Sequence, residues 1–170
     1  WDSAGGLVDA ATLAASLSNT SPITNQKICE TGTDNDECDY LEVLKIDFKA
    51  EKDAVTLTDL VIDIVRGGNT SAATSTTAYV YDGTTLVGSA TGAGTDLTTI
   101  GATFSDIDWV IPKDTTKVLT VKLDIRDATA AATTFAVDID TADITAENSA
   151  GAGITESGSA AGKTITVRKL

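Results

Sequence analysis

Asp82-Gly83 stands between two runs rich in β-branched and aromatic residues, Thr-Thr-Ala-Tyr-Val-Tyr before it and Thr-Thr-Leu-Val-Gly-Ser-Ala after it. This is a strong short-range hairpin signal. A two-residue type I′ turn needs φ > 0 at both central positions, which Gly adopts freely and Asp at modest cost. Side chains alternate along a strand, so Tyr79 and Tyr81 project to one face and Ala78 and Val80 to the other. A lone hairpin is marginal in water, so the flanking runs are expected to pair beside residues 76–90.

Those runs carry the same period. Residues 40–49 place Leu44, Ile46 and Phe48 inward and Lys45, Asp47 and Lys49 outward. Residues 55–65 begin with Val55 and Leu57 on one face and continue with Leu60, Ile62 and Ile64 on the opposite parity, which predicts a β-bulge near Thr58-Asp59 or a strand crossing between sheets. Residues 102–111 carry Phe104, Ile107, Trp109 and Ile111 and stop at Pro112, which cannot donate to a ladder. Leu119, Val121, Leu123 and Ile125 mark the cleanest strand. Phe135, Val137 and Ile139 mark another, Ile144 to Ala146 a short one, and Ile165 with Val167 the last. Residues 66–69 read as a turn, and the Gly-rich residues 91–96 and 149–162 as loops. Short alternating strands between turn signals predict an all-β fold, a two-sheet immunoglobulin-like sandwich. No repeat of 20–50 residues is visible. The expected division is an N-terminal extension (1–24), an acidic disulfide loop (25–39) and the sandwich (40–170).

The extension fits two periods. As a strand, residues 5–18 put Leu7, Ala11, Leu13, Ala15 and Leu17 on one face, with Asp9 the misfit; as a helix, Leu7, Ala10, Ala11, Ala14 and Leu17 form a stripe, and the alanines favour it locally. Asn19 and Pro22 separate the segment from the cysteine-bearing stretch after it. The chain begins with Trp1 and has no Met, which reads as removal of a leader, with a trimmed chain as the alternative. Cys29 and Cys38 then bracket Glu-Thr-Gly-Thr-Asp-Asn-Asp-Glu, a spacing that reads as a disulfide closing a short loop in a secreted, extracellular or cell-surface protein. The same loop brings Asp34, Asp36, Glu37 and Asp39 close in sequence. Hard carboxylate oxygens suit Ca²⁺, but the EF-hand spacing is absent, so a solvated acidic loop is the favoured reading and calcium the alternative. No other cofactor is expected. Asn19-Thr20-Ser21 and Asn69-Thr70-Ser71 are N-glycosylation sequons.

Charge and inventory exclude several classes. With 12 basic against 25 acidic residues the net charge is −13, which repels phosphate backbones and argues against nucleic acid. No run of 18 apolar residues is present to span a membrane. The chain contains no His, so Ser-His and Cys-His catalysis are absent, as are nucleophile-elbow and phosphate-loop motifs. The acids Asp138 and Asp140 read as a solvated strand face rather than a catalytic pair. No enzyme is expected.

Three stretches follow one pattern: residues 80–88 (Val-Tyr-Asp-Gly-Thr-Thr-Leu-Val-Gly), residues 109–122 (Trp-Val-Ile-Pro-Lys-Asp-Thr-Thr-Lys-Val-Leu-Thr-Val-Lys) and residues 161–167 (Ala-Gly-Lys-Thr-Ile-Thr-Val). The pattern resembles an Ig-like β-sandwich module of archaeal and candidate-phylum bacterial surface proteins, in which a hairpin, an Ile-Pro strand and a closing strand recur. Lys113-Asp114 departs from the small residue and Gly usual there. The resemblance covers residues 40–167 and implies fold and a surface role; no catalytic residue carries over. Three functions compete, in this order: a structural subunit of an extracellular filament or pilus, a monomeric surface-layer or adhesin module binding a glycan or cell-wall polymer, and a secreted lectin-like or calcium-binding domain. Of the candidate sugar-stacking rings, Trp109 reads as core, which leaves Trp1 and the three tyrosines. For the filament subunit the expected partner is a second copy of the chain. Residues 5–18 leave their own subunit and complete the neighbour's sandwich as a donor strand, with Leu7, Ala11, Leu13, Ala15 and Leu17 inward, giving a head-to-tail homopolymer. A helix packed on its own domain is the competing expectation.

Overall fold

The computed structural model describes residues 10–69, 73–91 and 99–170. Leu7 and Trp1 lie outside them. Among the described residues there is no α-helix, only one 3₁₀ turn at Thr141–Asp143 and thirteen strands. No helix of the described residues is long and apolar enough to cross a membrane, which says nothing of a β-barrel.

One sheet is built from β1 (Thr12–Leu17), β3 (Cys38–Glu51), β9 (Thr116–Arg126), β5 (Thr74–Asp82) and β6 (Thr85–Thr91), in that spatial order. The other centres on β4 (Val55–Gly68) and β10 (Thr133–Ile139). Against them lie β7 (Thr99–Phe104), β8 (Trp109–Ile111), β11 (Ile144–Asn148), β12 (Thr155–Ala161), β13 (Ile165–Arg168) and β2 (Asn25–Ile28). The core lies between, with Leu44, Ile46, Phe48, Leu57, Leu60, Ile62, Leu119, Val121, Leu123 and Phe135 all fully buried. The inward parity read from the sequence holds for β3, β9, β10 and β13.

The expected bulge sits where the parity of β4 switches. Thr145 faces Asp59 and Ala146 faces Leu57, so Thr58 is the extra residue; its carbonyl accepts from the Ile107 N–H at 2.9 Å. The chain at residues 102–111 is two strands rather than one. β7 and β8 pair with β4 on either side of this bulge, and residues 105–108 jump across it with Asp106 and Asp108 at positive φ.

Three expectations are corrected. In the β5–β6 hairpin Asp82 pairs with Thr85, so the turn residues are Gly83-Thr84 rather than Asp82-Gly83. Gly83, at φ +59°, alone of Asp82, Gly83 and Thr84 has positive φ, and it stands first of the two, the place glycine takes in a type II′ turn. Residues 149–162, expected as a loop, contain strand β12. Residues 25–39 include strand β2, parallel to β13, before the cysteine loop. The helix reading of the extension is also set aside, because β1 is a strand.

The Cys29–Cys38 disulfide is formed, with Cα atoms 4.7 Å apart, and it fits an oxidising compartment. It ties the end of β2 to the start of β3, one strand from each sheet. Replacing both cysteines by Ser removes a nine-residue closure worth about 2–3 kcal/mol in chain entropy. Urea unfolding is expected to show that loss with an otherwise native spectrum.

Candidate assembly site around the N-terminal strand

β1 lies between two edges of different sheets. It is antiparallel to β3, with Leu13 opposite Ala50 and Leu17 opposite Ile46, and parallel to β12, with Leu13 opposite Glu156 and Ser16 opposite Ser159. Ala11 and Ala15 are buried and Leu13 is fully buried. The alternation ends there: Leu17 is 38% exposed, and Ser18 turns in instead, its N–H donating to the Lys45 carbonyl at 3.0 Å. Ser21 folds back in turn, its Oγ accepting from the Lys45 N–H at 3.1 Å. Of the five residues expected on one inward face, then, three are buried, Leu17 is half-exposed and Leu7 lies outside the described residues.

The second wall explains the composition of β12. Gly158 has φ +87°, and a Cβ there would stand 2.0 Å from the Ala15 carbonyl oxygen, so only glycine lets β12 approach β1 this closely. Ser157 Oγ donates to the Leu13 carbonyl at 3.4 Å. β12 is otherwise held weakly: its pairing with β10 is two residues long, Asp138 with Ala161 and Ile139 with Ala160.

Past the turn, whose Pro22 and Ile23 line it, β2 and the first part of β3 bound an open cleft of about 660 Å³. One wall is β2, with Asn25, Lys27 and Ile28; the other is the first part of β3, up to Glu42. Among the described residues β2 has a strand partner only in β13 and residues 38–44 of β3 only in β9, while Lys45 is already bonded by Ser18 and Ser21, so each wall has an edge without a second strand.

In the acidic loop, Glu37 and Asp39 are held by Arg126, at 3.5 and 2.9 Å, and Asp36 uses its backbone carbonyl to accept from Ala128. Among the described residues no three His, Cys, Asp or Glu side chains are grouped to hold a metal ion. Asn19 is exposed in the turn after β1, and Asn69 ends β4, donating its N–H to the Ala132 carbonyl. Trp109 is 6% exposed, its ring edge-on to Phe48 and its Nε1 donating to Asp82, so it belongs to the core. Lys117 sits over that ring and bonds the same carboxylate at 2.7 Å. The hydrogen bond from Lys117, then that from Trp109, hold Asp82 below the usual carboxylate range.

Sequence reading did not anticipate two clusters. On the outer face of β3, β9 and β5, Tyr40, Tyr79 and Tyr81 form a strip with ring centroids 4.9 and 6.4 Å apart. Asp124, buried beneath, accepts from the Tyr79 hydroxyl at 2.8 Å and the Tyr40 N–H at 2.9 Å. Burial and then the Asp124 carboxylate push the Tyr79 hydroxyl up to about 12. The β5 alternation already placed Tyr79 and Tyr81 together, but only the β3–β9–β5 pairing brings Tyr40 to them. The second cluster joins Asp63 and Asp138, cross-strand partners on β4 and β10, to Asp140 and Asp143. Burial first, and the neighbouring carboxylates next, raise both Asp63 and Asp138.

No family model and no curated relative matches the chain. Among solved structures it is similar to the seventh ScaB type I cohesin from Pseudobacteroides cellulosolvens, at 12% identity and a TM-score of 0.47, covering 93% of each chain. It is similar to the CaCohA2 module from Clostridium acetobutylicum, at 15% identity and a TM-score of 0.38, covering 94% of this chain and 91% of that one. It is also similar to a C-terminal fragment of the major pilin GBS80 of Streptococcus agalactiae, at 8% identity and a TM-score of 0.35, covering 94% and 56%.

Gly158→Ala is expected to destabilise by more than the ~1–2 kcal/mol of a left-handed residue, because a backbone oxygen blocks the new methyl. Gly153→Ala, with nothing within 4 Å of its Cβ, is the control and is expected to unfold near the parent midpoint. For Asp138 the sign is set by the raised carboxyl. The folded state binds its proton more tightly than the unfolded chain, so ionisation costs stability, and that cost is removed as pH falls through the raised value. Asp138→Asn should therefore raise the melting temperature at pH 7, and the gain should shrink as pH is lowered through the carboxylate range.

Proposed function

We propose that the protein is a structural subunit of an extracellular filament, joined head-to-tail by exchange of its N-terminal strand. One observation carries this reading: β1 fills a slot whose two walls belong to different sheets, and the chain passes from it into the sandwich through the turn at residues 18–24. A strand from a second copy offers the same backbone groups and the same Ala11, Leu13 and Ala15 side chains to the slot. Opened out, the seven turn residues reach about 23 Å, enough to carry the strand away from its own body. Passing each strand to the next copy is a heterologous contact, which extends into a fibre unless it closes into a ring. In this role Leu13 is the main apolar anchor, worth about 1.5–3 kcal/mol of burial. Neither a cofactor nor a metal is needed.

A second reading, a surface module that binds a glycan, rests on the strip of Tyr40, Tyr79 and Tyr81. Rings flanked by Asp39, Lys122 and Arg126 offer stacking faces beside hydrogen-bonding groups. Glycan-array binding by the monomer, abolished by Tyr40→Ala and Tyr81→Ala, would favour it over assembly.

Deleting residues 1–18 tests the first reading. The truncated protein is expected to stay folded but less stable, to form no filaments by electron microscopy, and to regain stability when a peptide of residues 5–18 is added. Filaments of native appearance from the truncated protein would overturn it.

A further inference from the structure

The apolar alternation of residues 5–18 is longer than the strand it forms. Five residues share a face in the sequence, yet β1 pairs only along Thr12–Leu17 and buries three of them, leaving Leu17 38% exposed. β3 is mismatched in the complementary sense. It is a 14-residue strand, but β1 covers only its residues 46–51. The cause is connectivity. The chain must turn back at residues 18–24 to enter β2 at Asn25, and the Ser18 and Ser21 contacts to Lys45 end the pairing there. The cleft beyond is what that turn leaves unfilled.

We infer, resting on the strand-exchange reading, that this cleft is filled by the N-terminal arm of a second copy, which lies in a register shifted toward Cys38 and pairs with β3 along residues 41–51. Strand direction permits this without reversal. β12 and β13 both run antiparallel to β10, and β2 runs parallel to β13, so an arm parallel to β12 is also parallel to β2 and antiparallel to β3. Once a subunit's own arm has left, its Ser18–Lys45 contact is unmade and the β3 edge is open up to the disulfide. The shift is by an even number of residues, since an odd slip would turn the apolar face to solvent. A shift of four carries Leu17 into the cleft, opposite Glu42 and beside Leu41 and Ile28.

Within one copy, β1 itself occupies the route along β3 from Glu51 to Ile46. Of the acids lining the cleft, Glu37 and Asp39 are paired with Arg126 and Glu42 with Lys45, and residues 5–18 carry a single charge, Asp9, so the arm brings little charge into it.

Photo-cross-linking from both walls tests this. The full chain carrying Lys27→p-benzoylphenylalanine or Glu42→p-benzoylphenylalanine is assembled from a mixture of ¹⁴N and ¹⁵N protein, and adducts are mapped by mass spectrometry. Mixed-isotope adducts between either position and residues 7–17 are expected. A cryo-electron-microscopy map of unmodified filaments is expected to show the arm paired with residues 41–51 of β3, and it reads the register even if the probe hinders assembly. Filaments with the arm paired only along residues 46–51, and no adduct at Lys27 or Glu42, would overturn the shifted register while leaving strand exchange standing. Adducts within one copy, or to another part of a second copy or to another protein, would overturn the assigned occupant. If no filaments form and no mixed adduct appears, both the inference and the exchange reading fall.

Discussion

Two unpaired strand edges face each other across the middle of this protein, and the rest of the fold depends on a third strand hydrogen-bonding to both. Backbone N–H and C=O groups inside a protein must find partners, and leaving one buried and unpaired costs about 1–3 kcal/mol. The edge of β3 along residues 46–51 and the edge of β12 meet this demand only through β1. β12 has little other support, since two residue pairs hold it to β10. Without β1 the two sheets would still share their core side chains, but an apolar slot would stand open along one side. The fold therefore specifies a strand at that place more firmly than it specifies which chain supplies it.

The side chains of the slot derive from this demand. A strand inserted between sheets has backbone on both sides at β-ladder spacing and core on only one face, so large residues fit at alternate positions and small ones elsewhere. Leu13 takes the deep position, with Ala11 and Ala15 beside it. β12 is built of Thr, Glu, Ser, Gly, Ser, Ala and Ala, and at Gly158 the two backbones come too close for any Cβ. A composition that looks like a flexible linker is here the requirement of close backbone approach.

That requirement also marks where sequence reading succeeded and failed. The strands with one wet and one dry face, such as β3, β9 and β10, announce themselves by period-2 alternation, and the parity switch in β4 predicted the bulge at Thr58. β12 was invisible because its Gly, Ser and Ala residues carry turn signals and no apolar period; its strand state comes from tertiary pairing with β1. β2 was missed because Asn-Gln-Lys-Ile is a half-exposed edge with no alternation to read. The hairpin turn lies one residue later than read because Asp82 still pairs with Thr85 in the ladder, leaving Gly83 and Thr84 to close it. Of the candidate site, the inward face was legible at Ala11, Leu13 and Ala15, and it failed at Leu17. The cleft beside it was not legible, since it forms between β2 and β3, segments whose adjacency depends on the whole sheet order.

The balance between a strand folded back and a strand given away is set by what differs between the two states. If a second copy supplied β1 in the same register, every contact in the slot would be repeated. The intramolecular strand would then prevail, because a short tether holds it at an effective concentration on the order of millimolar. The bodies would resist association as well, each carrying a net charge of −13. Exchange is favoured only by contacts that the folded-back chain cannot make. On the inference above, the cleft between β2 and β3 would supply such contacts, along backbone edges without a second strand and beside Ile28 and Leu41. They would involve backbone and aliphatic groups rather than ion pairs, so salt that screens the repulsion between bodies would leave them intact. In the proposed exchange, connectivity would hold a subunit with its strand folded back from premature assembly, and the uncovered length of β3 would be the source of free energy that draws the strand into a neighbour.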